Sequence, residues 1–294
     1  MSVPVLAGTG LAEDLAIAQR TERPGAGHRR LTFRGRRLRL WRLAVFLIAG
    51  AYFLVPLWAA FHFSLEYNGG GLSFQAYSQL GGQQGFGSAI WLSAQLAILT
   101  TVIELFLMVP TTVYIHLRLP RVKRAMDFVT ALPIVIPPVV LILGVLQVAP
   151  NELKSTPFLL ALEYVVLAVP LTYRALDAGV RSLDLRTLVD ASRSLGGGWA
   201  TTLRRVLLPN MRVAILSATV LTVALVLGEF TMASLDLQQT FPTWIVVFDQ
   251  TNAHVSVAAS MLALFVTWVV LWVISLWSGP ARRGADKKIK RGLP

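Results

Sequence analysis

Residues 158–235 read FLLALEYVVLAVPLTY (158–173), then RALDAGVRSLDLRTLVDASRSLGGGWATTLRRVLLPNMR (174–212), then VAILSATVLTVALVLGEFTMASL (213–235). The first and last pieces are almost uncharged, whereas the middle piece holds seven of the 27 lysines and arginines of the chain. A membrane is crossed by about 20 apolar helical residues, and lysine and arginine collect in the cytoplasmic loops of membrane proteins. The stretch therefore predicts two membrane spans joined on the cytoplasmic side by a long basic loop.

The same alternation of apolar runs and basic blocks extends over the whole chain. Except for Lys154, every lysine and arginine falls into one of four blocks, at 20–42, 118–124, 174–212 and 282–291. The chain is 55% hydrophobic and 14% charged, against about 25% charged residues in soluble domains, which indicates an integral membrane protein. The net charge of +12 lies on loops beside apolar runs, so its expected partner is the lipid bilayer and not nucleic acid.

An all-α membrane domain of six spans with both chain ends in the cytoplasm satisfies this pattern. The spans are placed at Leu43–Phe63, Ser88–Ile115, Ala125–Val148, Phe158–Tyr173, Val213–Leu235 and Val255–Trp277. The fourth span is the shortest and is expected to begin near Thr156. The domain covers 43–278, between basic tails at 1–42 and 279–294, and residues 1–30 are expected to be poorly ordered. Five tryptophans near span ends are expected at the membrane interface: Trp41, Trp58, Trp91, Trp244 and Trp277.

The long cytoplasmic loop at 174–212 carries helical patterning of its own. Asp184 is placed to cap a helix, and three glycines from Gly196 to Gly198 interrupt the pattern before a second helix that Pro209 ends. Two apolar faces are expected: Leu185, Leu188, Val189, Ser192 and Leu195 on the first helix, and Trp199, Leu203, Val206 and Leu207 on the second. From the residues alone, this hairpin could lie on the inner leaflet or dock a cytoplasmic protein.

The spacing inside the loop resembles the EAA loop of permeases from binding-protein-dependent ABC importers. That family pattern is Glu-Ala-Ala, three residues, Gly, nine residues, Ile, one residue, Leu-Pro. This chain has Asp190-Ala191-Ser192, then Gly196, then Val206, then Leu208-Pro209 at the same spacing, with Asp for Glu and Ser for the second Ala. The resemblance implies contact with a separate ATPase through Asp190, Ala191, Ser192, Leu195, Gly196, Val206, Leu208 and Pro209.

Two further segments resemble permeases of the polyamine, ferric-iron, thiamine and sulfate importer group. They are ALPIVIPP at 131–138 and LGEF at 227–230. The resemblance, which covers roughly 85–278, implies a type I ABC-importer permease core. It places Pro133, Pro137, Pro138, Gly228 and Glu229 in the translocation pathway or its gate. Because prolines disrupt helix regularity, the three prolines could equally be static kinks in the helix.

Three acidic residues lie within the predicted spans, where ionisable groups are costly and face the bundle interior. They are Glu104, Glu163 and Glu229. For Glu104 and Glu163 the favoured interpretation is a structural hydrogen bond between helices or a protonated acid. Glu229 is the stronger pathway candidate because of its glycine neighbour and the family-like segment around it.

The functional hypothesis is a permease subunit and not an enzyme. The sequence has no Gly-x-x-x-x-Gly-Lys-Ser/Thr segment, no cysteine and no histidine cluster, so no cofactor or metal is expected on this chain. The resemblance assigns ATP and Mg²⁺ to a partner ATPase dimer and adds a second permease subunit, an extracytoplasmic solute-binding protein and a bacterial plasma membrane. A polyamine is the first choice of substrate, followed by ferric iron or thiamine. The alternative is an ion-gradient-driven secondary transporter that uses the buried acids.

Overall fold

The computed structural model describes residues 33–66 and 71–276, with side chains from Trp41 onward. Most of the two predicted tails, and Trp277, lie outside the described residues. Within the described ranges the regular elements are helices. The chain divides into two compact units, Met1–Pro56 and Leu57–Pro294.

The described part of the first unit consists of helix. This helix, α1, spans Phe33–Leu65 and so continues past the end of the unit at Pro56. Its large apolar side chains between Trp41 and Val55 are exposed. A helix that is apolar on all sides is suited to a hydrocarbon environment, which agrees with the predicted first span.

The second unit contains the remaining helices. Those that precede the long loop are α2 (Gln75–Gln79), α3 (Phe86–Arg118), α4 (Lys123–Val129), α5 (Leu132–Val135), α6 (Pro138–Val148) and α7 (Pro157–Arg181). The long loop forms α8 (Leu185–Ser194) and α9 (Trp199–Asn210). The helices that follow are α10 (Arg212–Gly228), α11 (Thr231–Leu235), α12 (Phe241–Asp249) and α13 (Ala253–Leu276).

Among the described residues, four helices are long and apolar enough to cross a membrane. They are Trp41–Leu65 of α1, α3, α7 and α13. Two bent pairs raise the number to six if each pair is one span: Lys123–Val135 with α6, bent by 96°, and α9 with α10, bent by 76°. Four to six candidate spans in an all-helical chain define a multi-pass membrane protein.

Helices α3, α7 and α10 pack against one another at the centre of the second unit. The hydroxyl of Thr100 donates to the carbonyl of Ala161, and His116 lies 2.6 Å from Asp177, each pair being 61 positions apart. Because the offset is the same at both places, α3 and α7 run parallel in one register. Helix α7 approaches α10 closely at Gly179, where an added Cβ would overlap that of Ala214.

The third predicted span is not a single helix. It is divided into α4, α5 and α6, and the sharp bend falls at Ile136 and Pro137, whose ψ angles are 120° and 136°. Ile136 is extended because a residue before proline is driven out of the helical region, and Pro137 itself precedes Pro138. The prolines that the sequence marked as kinks therefore break the span.

The fourth and fifth predicted spans have different lengths in the structure. Helix α7 begins next to Thr156 as expected, and the Thr156 hydroxyl caps it by accepting from the Leu159 amide. The helix continues to Arg181, eight residues beyond the predicted end at Tyr173. Helix α10 ends at Gly228, and Glu229 is extended with φ −79° and ψ 123°. The residues predicted to complete the fifth span form the separate short helix α11.

The predicted topology places the segments at 64–87 and 236–254 on the outer side of the membrane. Both contain short helices that periodicity did not reveal. Helix α12 and the short α2 pack around Trp244, with Ala76, Leu80 and Ala89 buried beside it. The Trp244 indole donates to the carbonyl of Gln84 at 3.0 Å, and its side chain is buried. The Trp244 ring therefore packs inside the protein in this small core, whereas Trp41, Trp58 and Trp91 have exposed side chains.

Candidate functional site

The candidate site is the helical hairpin α8–α9, which the long basic loop forms as the sequence predicts. Helix α8 begins where Asp184 accepts hydrogen bonds from the Thr187 amide at 3.4 Å and the Thr187 hydroxyl at 2.6 Å. These bonds hold the pKa of Asp184 below its usual value. Leu185 and Val189 are buried against α3 and α7, in one cluster with Val113, Leu176 and Val180. One face of α8 is thereby attached to the bundle.

The turn after α8 is a Schellman motif. The Gly196 amide donates to the carbonyl of Arg193, and the Gly197 amide donates to the carbonyl of Ser192, both at 2.9 Å. Gly196 has φ +78°, the left-handed conformation that glycine adopts without strain. A Cβ on Gly197 would lie 2.6 Å from the Ser192 hydroxyl and 2.8 Å from the Ser192 carbonyl oxygen. Gly196 therefore provides the turn conformation, and Gly197 provides the space for it.

Ser192 joins the two helices of the hairpin. Its hydroxyl lies 2.8 Å from that of Thr202, which also donates to the carbonyl of Gly198 at 3.0 Å. Thr202 is buried and begins a π-helical turn that continues to Leu207. The sequence placed Ser192 on the apolar face of α8 and among the coupling residues, but it missed Thr202 and the contact between the two hydroxyl groups. Two hydroxyl residues ten positions apart across a glycine break were the signal available.

The predicted coupling residues divide into an exposed set and a buried or half-buried set. The exposed set is Asp190, Ala191, Leu195, Gly196 and Pro209. The other set is Ser192, Val206 and Leu208. Leu195, predicted on the apolar face, is instead 89% exposed at the tip, because the Schellman turn takes it out of the helix with ψ 12°. The hairpin thus presents a small exposed surface on a buried base.

A charged cluster lies beside the base of the hairpin. The carboxylate of Asp177 on α7 contacts His116 of α3 at 2.6 Å, Lys123 of α4 at 2.9 Å and Arg181 at 2.5 Å. Asp177 is buried, and the cluster connects three helices. The sequence placed Asp177 in the loop and missed this cluster, although its i,i+4 spacing from Arg181 on a longer helix was a signal.

The three intramembrane acids have different environments. Both carboxyl oxygens of Glu104 and both of Glu163 are buried without a hydrogen-bond partner among the described residues. Glu229 accepts from the Met232 amide at 3.0 Å and the Ala233 amide at 3.4 Å, so it caps α11. Thr172 of α7 lies beside Glu104 of α3, so a contact between helices is available to that acid. The protonated form, which was the other interpretation of Glu104 and Glu163, suits carboxyl groups in such buried positions, and the predicted pathway residue Glu229 has a structural contact.

The two predicted gate segments are each followed by a helix, and those two helices pack together. Pro133 lies at the start of α5, Pro137 and Pro138 lie at the sharp bend before α6, and Gly228 ends α10 just before α11. Helix α6 packs against α11, with Ile142 in one cluster with Met232 and Ala233. This contact joins segments about 90 residues apart, so their sequences did not reveal it.

No family model matches the chain, and no curated protein matches it. Among solved structures, the chain is similar to a chain of the bacterial alginate ABC transporter, solved in complex with an alginate pentasaccharide-bound periplasmic protein. The TM-score is 0.61 at 16% sequence identity, and the match covers 84% of this chain and 95% of that chain. At this identity the likeness establishes the fold, which is that of a chain in an ABC transporter assembly.

Proposed function

We propose that this chain is a transmembrane permease subunit of an ATP-driven, binding-protein-dependent ABC importer. The observation that carries the proposal is the α8–α9 hairpin, which presents the EAA-like residues Asp190, Ala191 and Leu195 on an exposed surface. This hairpin belongs to a fold shared with a chain of an ABC transporter. In this role the chain forms half of a solute pathway in a bacterial plasma membrane, and a second permease subunit forms the other half.

The hairpin has the rigidity that mechanical coupling requires. The Ser192–Thr202 contact fixes α8 to α9, and Leu207, which is fully buried, seats α9 against the bundle core. Helix α9 leads through Met211 into α10 with a 76° bend. Movement of a partner at the hairpin tip would therefore turn α8 and α9 together and reach a core helix directly.

ATP and Mg²⁺ belong to the partner ATPase dimer in this proposal, and this chain contributes contacts and movement. The exposed tip at Leu195 docks on the ATPase, while the breaks at Pro137 and Gly228 allow the bundle core to change shape. An extracytoplasmic solute-binding protein delivers the solute to the opposite face. A polyamine is the proposed substrate, ahead of ferric iron and thiamine, because buried carboxyl groups suit a cation.

An ion-gradient-driven secondary transporter is the second candidate. It is favoured by one observation: the carboxyl groups of Glu104 and Glu163 are buried, and neither oxygen of Glu163 has a hydrogen-bond partner among the described residues. Such groups can bind and release protons during transport. Uptake that continues without ATP and stops when the ion gradient collapses would support this candidate and exclude the importer.

The absence of cysteine from the sequence allows a direct test of the proposed function. Leu195→Cys places a single thiol at the hairpin tip, where the native side chain is 89% exposed. A membrane-impermeant maleimide is expected to label it in inverted vesicles and not in intact spheroplasts. A thiol cross-linker is expected to join it to a polypeptide with a P-loop sequence in membranes of the native host.

Leu237→Cys is the matched control, because Leu237 is 84% exposed in a predicted outward-facing loop. It is expected to label from the opposite side and to form no cross-link to the ATPase. Labelling of the Leu195 variant from the exterior alone, or uptake that needs no ATPase, would overturn the proposed function.

A further inference from the structure

A polar cleft of about 310 Å³ lies between the cytoplasmic end of α3 and the outer side of α8. We call it the arginine cleft, because its lining includes Arg118 from α3 together with Arg186 and Arg193 from α8. Asp190 supplies its one carboxylate, so the charged groups of the cleft give it two net positive charges. The cleft is separate from the Asp177 cluster and from the predicted pathway residues.

The arginines of this cleft have no ion-pair partners in the part of the chain that the structure describes. The salt bridges found there go to Glu66 and Asp177 and involve none of the three arginines. Arg186 and Asp190 are four positions apart on α8, a spacing that favours a pair, yet no contact within 4.0 Å joins them. Arg186 lies near a second carboxylate, that of Asp184, but none of the three guanidinium groups is in an ion pair within 4.0 Å among the described residues, so together they can hold an anion.

The chemistry of the donors indicates which anion fits. A guanidinium group presents several N–H donors in a plane, and this arrangement matches phosphate oxygens with paired, charge-assisted hydrogen bonds. Donors from α3 and α8 can approach a phosphate from both walls of the cleft. A carboxylate ligand would meet the same arginines with fewer acceptor oxygens, so phosphate satisfies them better.

The remaining lining residues place the cleft at a membrane surface. Tyr114 is 51% exposed and Trp199 is 43% exposed, and both border the cleft. Tyrosine and tryptophan side chains favour the headgroup level of a bilayer, where a polar edge and an apolar body are both accommodated. Leu117 and Val189 add apolar wall beside the arginines, which suits a phosphate that carries acyl chains.

We propose that the arginine cleft binds a phosphate group at the cytoplasmic membrane surface, supplied by an anionic lipid headgroup or by free phosphate. The cytoplasmic location rests on the orientation in the proposed function, whereas the binding chemistry does not. A bound phosphate bridges α3 and α8 and neutralises the repulsion among the three arginines. Because Asp190 lines the cleft and also belongs to the EAA-like segment, occupancy sets the position of α8 relative to the bundle.

The test uses the full chain purified in nanodiscs of phosphatidylcholine with added phosphatidylglycerol. Native mass spectrometry measures the phosphatidylglycerol retained, and a titration gives its apparent affinity. Arg118→Gln with Arg193→Gln is expected to weaken that affinity by about tenfold or more, as expected when charge-assisted hydrogen bonds are lost. Arg204→Gln with Arg205→Gln removes the same amount of charge from α9, outside the cleft, and it is expected to retain wild-type affinity.

A second pair of variants separates binding from folding. Arg118→Lys with Arg193→Lys keeps the charge but removes the planar donors, so its affinity is expected to lie between those of the wild type and the glutamine variant. Equal affinities in the wild type and the Arg118/Arg193 glutamine variant overturn the proposal. An equal loss in the Arg204/Arg205 control also overturns it, because only general basicity would then attract the lipid.

Inorganic phosphate identifies the source of the ligand. Displacement of phosphatidylglycerol by inorganic phosphate in the wild type supports binding of the phosphate group itself, as a free anion. Retention of the lipid under the same conditions, with loss in the glutamine variant, supports a lipid headgroup. These measurements need no ATPase, so failure of the Leu195 cross-link would leave them unchanged, and failure here would leave the proposed permease function unchanged.

Discussion

The hydroxyl oxygens of Ser192 and Thr202 lie 2.8 Å apart and connect the two helices of the α8–α9 hairpin. Both residues are buried, so this contact is shielded from water and from the outer surface of the hairpin. The Gly197 amide donates to the Ser192 carbonyl in the same turn. One residue therefore fixes the hairpin through its main chain and its side chain, and this arrangement has direct consequences for mutagenesis.

Gly197→Ala is expected to distort the hairpin. The new Cβ would lie 2.6 Å from the Ser192 hydroxyl oxygen and 2.8 Å from the Ser192 carbonyl oxygen, so the turn must open at a cost of about 1–3 kcal/mol. Hydrogen–deuterium exchange in α8 and α9 measures the loosening. Gly198→Ala is the control, since an added Cβ there meets nothing within 4 Å. Equal exchange in both variants would contradict the steric argument.

Ala191→Trp is expected to leave the fold intact and to weaken ATPase docking and uptake. Ala191 is exposed on α8, so a large side chain costs little in the isolated chain but obstructs a close partner. Co-purification with the ATPase and solute uptake are the measurements, with Ala125→Trp as an exposed alanine outside the hairpin. Gly196→Pro is also expected to weaken docking and uptake, but by breaking the turn, because proline cannot adopt φ +78° and has no amide hydrogen for the Arg193 carbonyl. Normal docking in Ala191→Trp would count against a coupling role for this surface.

Asp177→Asn is expected to destabilise the junction of α3, α4 and α7. The substitution removes the charge that His116, Lys123 and Arg181 share and leaves these basic groups close together. Because Arg181 is partly exposed, we expect a loss of about 1–3 kcal/mol, less than for a fully buried pair. Thermal unfolding in detergent checks this value. His116→Gln removes a single partner and should lower the melting temperature less; the reverse order would contradict the central position of Asp177.

The start of α8 is expected to loosen in acid. The pKa of Asp184 is held below its usual value by hydrogen bonds from Thr187, so the ionised carboxylate stabilises the folded helix start. This contribution is present above the usual carboxyl pKa and is lost as the pH falls through the lowered folded value. Amide exchange at Thr187 measured against pH follows it. Asp184→Asn should remove the pH dependence, and an unchanged profile in that variant would refute the assignment.

Glu229→Ala is expected to free the amides of Met232 and Ala233 and to destabilise α11 by about 1 kcal/mol. Glu229→Gln keeps an acceptor oxygen and should preserve much of that stability. Comparing melting temperature with uptake then separates two roles. If the glutamine variant is stable but inactive, the charge serves the pathway; if both variants lose stability and activity together, Glu229 acts through the α11 cap.

The hairpin shows how far local sequence signals reach. The N-cap at Asp184, the glycine break and the buried positions of α8 could be predicted, because each depends on residues within a few positions of one another. The exposed position of Leu195 could not be predicted. The helical periodicity of the sequence includes Leu195, whereas the Schellman turn ends the helix before it. Thr202 was missed because only the folded turn brings it to Ser192.

The sequence by itself determined the membrane-embedded helical character, the basic hairpin and the approximate positions of α1, α3, α7 and α13. These features depend on the hydrophobicity and charge of consecutive residues, so they can be predicted from the sequence without knowledge of the packing. Only the tertiary structure decided that α6 and α11 meet, that His116 and Lys123 share Asp177, and that Arg118 faces α8 across a cleft. These contacts join residues far apart in sequence, and their partners are selected by the packing of parallel helices, which no local pattern encodes.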